Sequence, residues 1–139
     1  MSKTAVKTEK NIRPVIYRDF FTDFSTHSAT GELNTKTNEE AVKQSIRNLL
    51  LTDKYERPMQ PLIGSGLKGM LFENYLPETQ IAIKQVIADC IGNYEPRANL
   101  INVIVVPELN GTSVTVTVTF GIINKPDPVN LDIVLERMR

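Results

Sequence analysis

The sequence changes character at residues 93–97, Asn-Tyr-Glu-Pro-Arg, where a strong helical pattern stops and a strong strand pattern begins. Proline lacks an N–H and disfavours helical geometry at the residue before it, so the chain must leave the helix at Glu95. Glu95 and Arg97 are then held on a stiff corner. The residues alone leave two interpretations open: a joint in which Arg97 lies near the last helical carbonyls, or a contact point for a partner.

Two main helices are predicted before this corner. Thr37 and Glu40 have the spacing of a capping box, so the first helix is expected to begin there and to end near residue 53. Pro77 suits the first turn of the second helix, which has the clearest helical pattern in the chain. Apolar residues at helical spacing predict the buried stripes. They are Val42, Ile46, Leu49 and Leu50 in the first helix, with Lys43, Gln44, Arg47 and Asn48 exposed, and Ile83, Val86, Ile87, Cys90, Ile91 and Tyr94 in the second.

The segments around these helices carry weaker patterns. Residues 1–13 are predicted to form a disordered arm, because they have too little apolar surface to offset the entropy of ordering. β-Branched and aromatic residues favour a strand over 15–24, and a Ser/Thr/Gly-rich stretch favours a solvated loop over 25–36. Two prolines three residues apart make 55–61 an extended crossing segment.

Residues 64–69 match the dinucleotide fingerprint G-x-G-x-x-G. That fingerprint requires a buried strand leading into it, whereas here a proline-rich segment does so, and no Gly-Lys-Ser/Thr follows. Gly66 and Gly69 are therefore interpreted as permitting tight packing under a short helix over 67–74. No cofactor is predicted.

A β-hairpin is predicted after the corner. Two β-rich runs flank Asn110-Gly111, a strong signal for a short hairpin turn. Centring the turn there pairs Ile101 with Phe120, Val103 with Val118, and Val105 with Val116 on one face. A two-residue loop would put Pro107, which has no N–H, in a hydrogen-bonded pair, so a longer loop is predicted. The opposite face, with Thr115, Thr117 and Thr119, is only partly apolar and is expected to carry less cover.

Residues 129–139 alternate between apolar and polar side chains after a proline-rich break. One face carries Val129, Leu131, Ile133 and Leu135, which alternate with Asn130, Asp132, Val134 and Glu136. Such a segment is either the edge strand of its own sheet or an arm that adds to the sheet of another chain. The predicted fold is α+β, with residues 14–139 as one domain. A small mixed sheet with a C-terminal antiparallel hairpin packs against two main helices and one short helix, and the C-terminal strand is extendable.

Composition excludes several kinds of partner. The 16 basic and 16 acidic residues cancel, so no nucleic acid or membrane surface is expected to bind. The single cysteine, Cys90, cannot form an internal disulfide or a thiolate cluster, and His27 has no Cys or His neighbour in sequence, so no metal site is predicted. The expected partner is another protein.

Four motifs occur in a fixed order along the chain. They are R-P-x-x-P-x-x-G-x-x-L-x-x-x-L-F-E-N at 57–74, N-Y-E-P-R at 93–97, V-x-P at 105–107, and N-x-P-D at 124–127. In this combination the sequence resembles the baseplate wedge proteins of contractile-tailed bacteriophages, also called sheath initiators and once labelled lysozyme-like. The resemblance runs from about residue 57 to the C terminus. Met59 and Gln60 depart from it, standing where an aromatic and an acidic residue are expected.

The resemblance implies a structural role in the tail baseplate of a virion, assembled in the host cytoplasm. By position it makes Glu95, Pro96 and Arg97 the residues that bind the helical core of neighbouring wedge subunits. It also makes 129–139, with Val129, Leu131, Ile133 and Leu135, the segment that exchanges strands with the tail sheath protein. The tail tube is a possible further partner, and no small-molecule substrate is expected. Because an exposed corner contributes little to stability, a charge-reversed Arg97 is expected to keep its fold and to lose wedge binding.

Two alternatives remain at this point. The same fold is expected to initiate sheaths in bacterial contractile injection systems and type VI secretion. The lysozyme-like label suggests a muramidase, which requires two carboxylates across a sugar cleft, one of them with a raised pKa. Glu95 is the only distinctive carboxylate, and Arg97 two residues away would favour its ionised form, the wrong direction for a general acid. No catalytic residue is therefore predicted.

Overall fold

The fold is described by a computed structural model covering residues 14–71, 76–108, 113–123 and 125–136. Its elements, in chain order, are β1 (Arg18–Phe20), β2 (Thr35–Thr37), α1 (Asn38–Leu51), α2 (Leu67–Met70), α3 (Pro77–Tyr94), β3 (Ala98–Pro107), β4 (Ser113–Ile122) and β5 (Val129–Glu136). The strands form two antiparallel sheets, β1-β2 and β3-β4-β5, where a mixed sheet was expected. The α+β class, with a C-terminal hairpin packed against helices, is confirmed. The predicted disordered arm, 1–13, lies outside the described residues.

Helix α1 begins where the sequence indicates, but the predicted capping box is wrong. Thr37 has extended geometry and makes no side-chain cap hydrogen bond, and Glu40 lies 3.7 Å from the Lys43 ammonium. Asn38, at φ +47°, instead accepts at Oδ1 from the N–H groups of Ile16 (2.8 Å) and Tyr17 (3.2 Å). The polar side chain at this helix start therefore fixes the N-terminal segment to α1.

The buried stripe of α1 is confirmed, with one exception on its polar side. Gln44 was expected to face water or a partner, yet it is only 8% exposed within the fold. Its Nε2 donates to the backbone oxygen of Phe20 at 2.6 Å, so β1 covers this part of the helix. Helical periodicity within α1 gives no information about which other elements pack on the helix. It therefore could not predict that the β1-β2 sheet covers Gln44.

The strand predicted over 15–24 is much shorter in the structure. Only Arg18–Phe20 pairs with β2, and Phe24 has φ +51°, which ends any extended run. The loop predicted over 25–36 contains one isolated bridge between Thr26 and Leu33 and then enters β2. Its histidine, His27, is exposed as predicted.

The connection from α1 to α2 is a series of turns, so the predicted extended crossing is wrong. The N–H of Tyr55 donates to the oxygen of Pro61 at 2.7 Å, folding the segment back on itself. Gly64 is the glycine that packing requires, because a Cβ there would lie 2.6 Å from the carbonyl of Asp53. A Cβ at Gly69 would meet nothing within 4 Å, so its predicted packing role is also wrong. Residues 72–74 of the predicted short helix lie outside the described residues.

The predicted hairpin register is confirmed for most of its length. Val103 pairs with Val118 and Val105 with Val116, but a bulge between Leu100 and Asn102 gives Phe120 the partner Leu100. The pairing predicted for Ile101 is therefore wrong, and this extra residue points to solvent.

The hairpin end agrees with a loop longer than two residues. The N–H of Glu108 donates to the oxygen of Ser113 at 3.0 Å, which makes these residues a hydrogen-bonded pair. Pairs alternate along antiparallel strands, so Pro107 and its partner Val114 form a non-hydrogen-bonded pair, where the missing N–H is harmless. The turn residues Asn110 and Gly111 lie outside the described residues.

One hydrophobic core joins the three-stranded sheet to the helices. The inward side chains of β3, β4 and β5 pack with the buried stripes of α1 and α3 and with Leu67 of α2. In α3 the stripe is confirmed at Ile83, Ile87, Cys90 and Ile91, whereas Tyr94 is partly exposed. The other face of the sheet carries Ile104, Val106 and Val134, which are about half exposed, so the expectation of less cover there is confirmed.

Candidate docking sites

The Glu95-Pro96-Arg97 corner joins α3 directly to β3. The N–H of Glu95 closes the last turn of the helix on Ile91 at 2.9 Å, and Glu95 then leaves helical geometry at φ −126°. The N–H of Ala98 donates to the oxygen of Glu95 at 3.1 Å, and β3 begins at that residue. The joint predicted from the proline is thus confirmed.

The carboxylate of Glu95 faces the interior and not a partner. Glu95 is 2% exposed. Arg97 donates to both of its oxygens, from Nε at 2.6 Å and from Nη2 at 2.8 Å, and the hydroxyl of Ser45 on α1 donates to Oε2 as well. The premise of an exposed corner is therefore wrong for Glu95, because three donors bind its carboxylate inside the fold.

These contacts fix the charge of Glu95. Burial by itself would raise the pKa of this carboxyl, but the hydrogen bonds from Arg97 and Ser45 outweigh burial and hold the pKa below its ordinary value. The same pair raises the pKa of Arg97. Glu95 is thus ionised at neutral pH, the opposite of the protonated carboxyl that a general acid requires.

Arg97 and Pro96 form the outer surface of the corner. Pro96 is exposed, and the Arg97 side chain is 30% exposed. The guanidinium carbon lies 5.6 Å from the centre of the Tyr17 ring, within cation–π range. Among the described residues Nη1 of Arg97 has no hydrogen-bond partner. The corner therefore presents one oriented guanidinium edge, backed by a buried carboxylate and an aromatic ring.

Sequence reasoning missed Ser45 and Tyr17 as parts of this site. Both lie far from the corner in the chain, on α1 and just before β1. No local motif marks them, since a serine inside a helix and a tyrosine near a strand are ordinary residues. Only the tertiary packing of α1 and the N-terminal segment against the corner brings them together.

The second candidate site is the C-terminal strand β5. Val129, Leu131, Ile133 and Leu135 are all buried and face the core, Val134 lies on the exposed face, and the strand pairs with β4 along its whole length. Of the two interpretations of this segment, the isolated chain adopts the edge strand of its own sheet. Residues 137–139 lie outside the described part.

The outer edge of β5 exposes backbone groups. Because Glu108 bonds to Ser113, the odd residues of β4 bond to β3 and its even residues bond to β5. The register then points the N–H and C=O groups of Asn130, Asp132, Val134 and Glu136 away from the sheet. Among the described side chains only Arg47 reaches this edge, donating from Nη2 to the oxygen of Asp132 at 3.2 Å.

The opposite edge of the sheet, on β3, is better protected. Gln80 of α3 donates from Nε2 to the oxygen of Val105 at 2.5 Å. Pro107 offers no N–H on that edge, and the bulge at Ile101 interrupts the strand. Bulges, prolines and covering side chains are the usual means by which proteins block strand addition. The two edges are therefore unequal, and β5 is the open one.

Neither a metal-ligating cluster nor a membrane-spanning helix is found among the described residues. No group of three or more His, Cys, Asp or Glu side chains is placed to hold a metal ion within them. None of their helices is long and apolar enough to cross a membrane. Burial raises the pKa of the Cys90 thiol, as expected for a packing residue.

Comparison with known proteins identifies the family. Residues 36–127 match the family described as baseplate wedge protein gp25. This chain belongs to that family. The baseplate wedge protein gp25 of Enterobacteria phage T4 is 33% identical over 89 residues, covering 64% of this chain and 67% of the phage protein.

Solved structures agree with the family assignment. A crystal structure from Geobacter sulfurreducens, labelled a tail lysozyme, superposes with a TM-score of 0.67 over 73% of this chain and 92% of its own, at 24% identity, which shows the shared fold alone. A chain in the cryo-EM structure of the anti-feeding prophage baseplate gives a TM-score of 0.62 at 25% identity, over 88% of this chain and 87% of its own. The gp25-family protein described here is therefore a structural component of a contractile-tail baseplate, as the sequence resemblance predicted.

Proposed function

We propose that this gp25-family protein docks on neighbouring wedge subunits through the Glu95-Pro96-Arg97 corner and templates the first ring of the contractile sheath through β5. The observation that carries the second part is the inequality of the two sheet edges. An open edge lets an extended segment of another chain add by main-chain hydrogen bonds, without a deep pocket. That mode suits the start of a polymer whose subunits repeat one contact.

The corner supports the first part of the proposal. Arg97 is held by a bidentate pair, which fixes the direction of its remaining donors before any partner arrives. Preorganised arginines are frequent anchors of protein interfaces. Glu95 acts here by orienting Arg97, and Pro96 and Arg97 make the contact.

We further infer that the role is assembly and not catalysis. The lowered pKa of Glu95, which keeps it ionised at neutral pH, supports this inference, and so does its use of both oxygens in internal hydrogen bonds. A sheath initiator in a bacterial contractile injection system is the second candidate, favoured by the likeness to the anti-feeding prophage baseplate. The two candidate functions use the same contacts and differ only in the contractile assembly, a phage tail or a bacterial injection system.

The β5 assignment is tested at Val134, whose N–H points outward from the open edge. Val134→Pro removes that donor, and Val134→Thr is the matched control because it changes the exposed side chain and keeps the N–H. With purified sheath protein, the proline variant is expected to nucleate polymers at least about tenfold more slowly than the wild type. The reason is that it lacks the N–H that would donate one main-chain hydrogen bond to the added strand. The threonine variant should match the wild type.

Deletion of 129–139 would be a poor test, because it removes four buried residues of the core. Circular dichroism and thermal melting must show that Val134→Pro is folded. Equal nucleation by folded Val134→Pro and by the wild type would rule out strand addition at β5.

A further inference from the structure

One arginine of α1 lies across the middle of the open β5 edge. Arg47 donates from Nη2 to the backbone oxygen of Asp132 at 3.2 Å. Asp132 is central in the strand Val129–Glu136, and its carbonyl is one of the outward-pointing acceptors that an added strand uses. The guanidinium therefore stands where the N–H of an added strand has to bind.

The backbone of Arg47 is fixed, whereas its side chain is free to move. Ile46 is fully buried and Leu50 is 2% exposed, so α1 is packed against the core on both sides of Arg47. Arg47 itself is exposed. Exposed side chains change rotamer within picoseconds to nanoseconds. Moving the guanidinium off the edge therefore requires the rotation of one side chain and no change in the backbone.

The side chain of Asp132 is held on the opposite side of the strand. Its Oδ1 accepts from the hydroxyl of Thr117 at 2.7 Å, and Thr117 is the residue of β4 that pairs with Asp132. This contact directs the carboxylate across β4, on the outer face of the sheet. The backbone carbonyl at the edge is thus left to Arg47.

The covers on the two sheet edges differ in how easily they are removed. On β3, the cover consists of a proline, a backbone bulge and Gln80, which is partly buried and donates to the oxygen of Val105 at 2.5 Å. On β5, the cover is the contact of one exposed arginine. Exposed contacts of this kind contribute little to stability. The β3 edge is therefore closed permanently, whereas the cover on β5 can be displaced by a competing strand.

A second copy of this chain is a strand that the β5 edge must reject. Exposed strand edges pair with one another unless a charge, a bulge or a proline prevents it. Two β5 edges that pair antiparallel about a two-fold axis at Ile133 place Asp132 of each copy opposite Val134 of the other. Both α1 helices then lie on the same face of the joined sheet, because α1 packs on the core face of each copy.

In this pairing the two Arg47 side chains oppose each other. Each guanidinium lies at its own Asp132, and diagonal neighbours across an antiparallel pair are only about 7–8 Å apart. This separation is within the distance over which salt leaves charges unscreened, about 8 Å at physiological ionic strength. Each arginine therefore blocks a carbonyl that the second copy needs, and it also repels the arginine of that copy.

We infer that Arg47 selects which strand can add to the open edge, because it rejects a second copy of this chain and yields to a strand that brings no cation to this position. The inference rests on the proposed strand addition at β5 and deepens it by naming the residue that discriminates between strands. Specificity requires a repulsive element against the wrong partner as well as attraction to the right one. Arg47 is that repulsive element.

The test measures self-association of the full chain by sedimentation equilibrium. Arg47→Met keeps a long, unbranched side chain and removes both the donors and the charge. This variant is expected to dimerise at least about tenfold more tightly than the wild type, because its dimer has two unblocked carbonyls and no facing guanidinium groups. Arg18→Met is the matched control, since Arg18 is an exposed arginine on β1, in the other sheet.

A double variant shows which surface forms the dimer. Val134→Pro removes an outward N–H from the β5 edge, so Arg47→Met combined with Val134→Pro should return to the self-association of the wild type. A dimer that persists in this double variant would use another surface, and the inference would be wrong. It would also be wrong if Arg47→Met associated no more tightly than Arg18→Met.

Sheath nucleation separates displacement of Arg47 from a direct contact. Below its own dimer dissociation constant, Arg47→Met should nucleate sheath polymers at least as fast as the wild type, because the added strand has no guanidinium to displace. Slower nucleation would mean that Arg47 binds the added strand, contrary to the inference. Failure of the proposed sheath function has a different signature, since folded Val134→Pro alone would then nucleate normally while the self-association results remained.

Discussion

At the scale of single residues, the corner depends on a buried carboxylate that requires a positively charged partner. Glu95 is hidden from water and neutralised by Arg97, with Ser45 completing its hydrogen bonds. Breaking a buried ion pair by removing one partner costs more than the pair contributes, because the remaining charge stays buried without compensation. The arginine therefore serves the fold as well as the proposed contact.

Reversing the charge of Arg97 is accordingly expected to destabilise the protein, contrary to the expectation from sequence. Arg97→Glu places a second carboxylate beside Glu95, and the loss is about 2–4 kcal/mol, reduced by the partial exposure of Arg97 to solvent. Arg47→Glu is the control, an exposed arginine whose loss should cost about 1 kcal/mol or less. Urea unfolding at neutral pH measures both. Equal stability of the two variants would show that Glu95 does not need its partner.

The depressed pKa of Glu95 predicts a pH dependence of stability with a definite sign. A carboxyl whose folded pKa is lowered contributes stability above its unfolded pKa, about 4.3, and loses that contribution as the pH falls through the folded value. The free energy of unfolding should therefore fall below about pH 4 more steeply in the wild type than in Glu95→Gln. The two curves should approach each other in acid.

Glu39 provides the comparison for this titration. Its pKa is also lowered, by hydrogen bonds from Lys125 and Lys43, but its side chain is far more exposed. Glu39→Gln should thus remove less of the pH dependence than Glu95→Gln does. If Glu39→Gln flattens the curve more than Glu95→Gln, the buried pair is not the main acid-sensitive contact.

At the scale of elements, local patterns were sufficient where neighbours in sequence decide the structure. The periodicity placed α1 and α3 correctly, and the alternation placed the register of β3 with β4 from Val103 onwards. Local patterns failed where distant parts of the chain decide. The burial of Gln44 under β1 follows from such a contact, between residues 24 apart in the chain. The turns after α1 are a different case, because hydrogen bonds between residues close in sequence, such as Tyr55 and Pro61, form them and the proline pattern did not reveal them.

The glycines of the α1-to-α2 connection and of α3 test this distinction. Gly64→Ala is expected to destabilise by about 2–3 kcal/mol, because φ is +147° and the new Cβ would lie 2.6 Å from the backbone of Asp53. Gly92→Ala is the matched control within α3, where a Cβ meets nothing within 4 Å, and it should stabilise by about 0.5–1 kcal/mol. Thermal melting should show a lower melting temperature for Gly64→Ala and a higher one for Gly92→Ala. A neutral Gly64→Ala would mean that the connection can relax away from Asp53.

At the scale of the whole molecule, the sequence predicted the class of fold and the family, but only part of each site. The corner is one of the motifs and the last strand is an alternating run, and both could be found because each is continuous in sequence. The motifs do not contain Ser45 or Tyr17, which reach the corner from α1 and from the N-terminal segment. Nor do they show which sheet edge is open, because that depends on Gln80 of α3 covering one edge while Arg47 of α1 makes a single contact with the other.

The two proposed sites lie at opposite edges of the three-stranded sheet, so it should be possible to impair one function without the other. The corner leads into β3, and β5 is separated from β3 by the whole width of β4, or about 10 Å of sheet. Arg97→Met also lowers stability, because the buried Glu95 loses its partner, so it is compared with the wild type under conditions where circular dichroism shows both to be folded. There it is expected to weaken wedge binding and leave sheath nucleation near the wild-type rate. Val134→Pro should do the reverse.

Combining the two changes tests whether the sites are coupled. Effects of distant, independent sites add within about 0.5 kcal/mol, so the double variant should show each loss at the size seen in its single variant. The measurements are wedge affinity and sheath nucleation for the wild type, the two single variants and the double variant, which together form a double-mutant cycle. If the losses in the double variant differ from those in the single variants, wedge docking changes the β5 edge. Sheath nucleation would then depend on prior binding to the wedge.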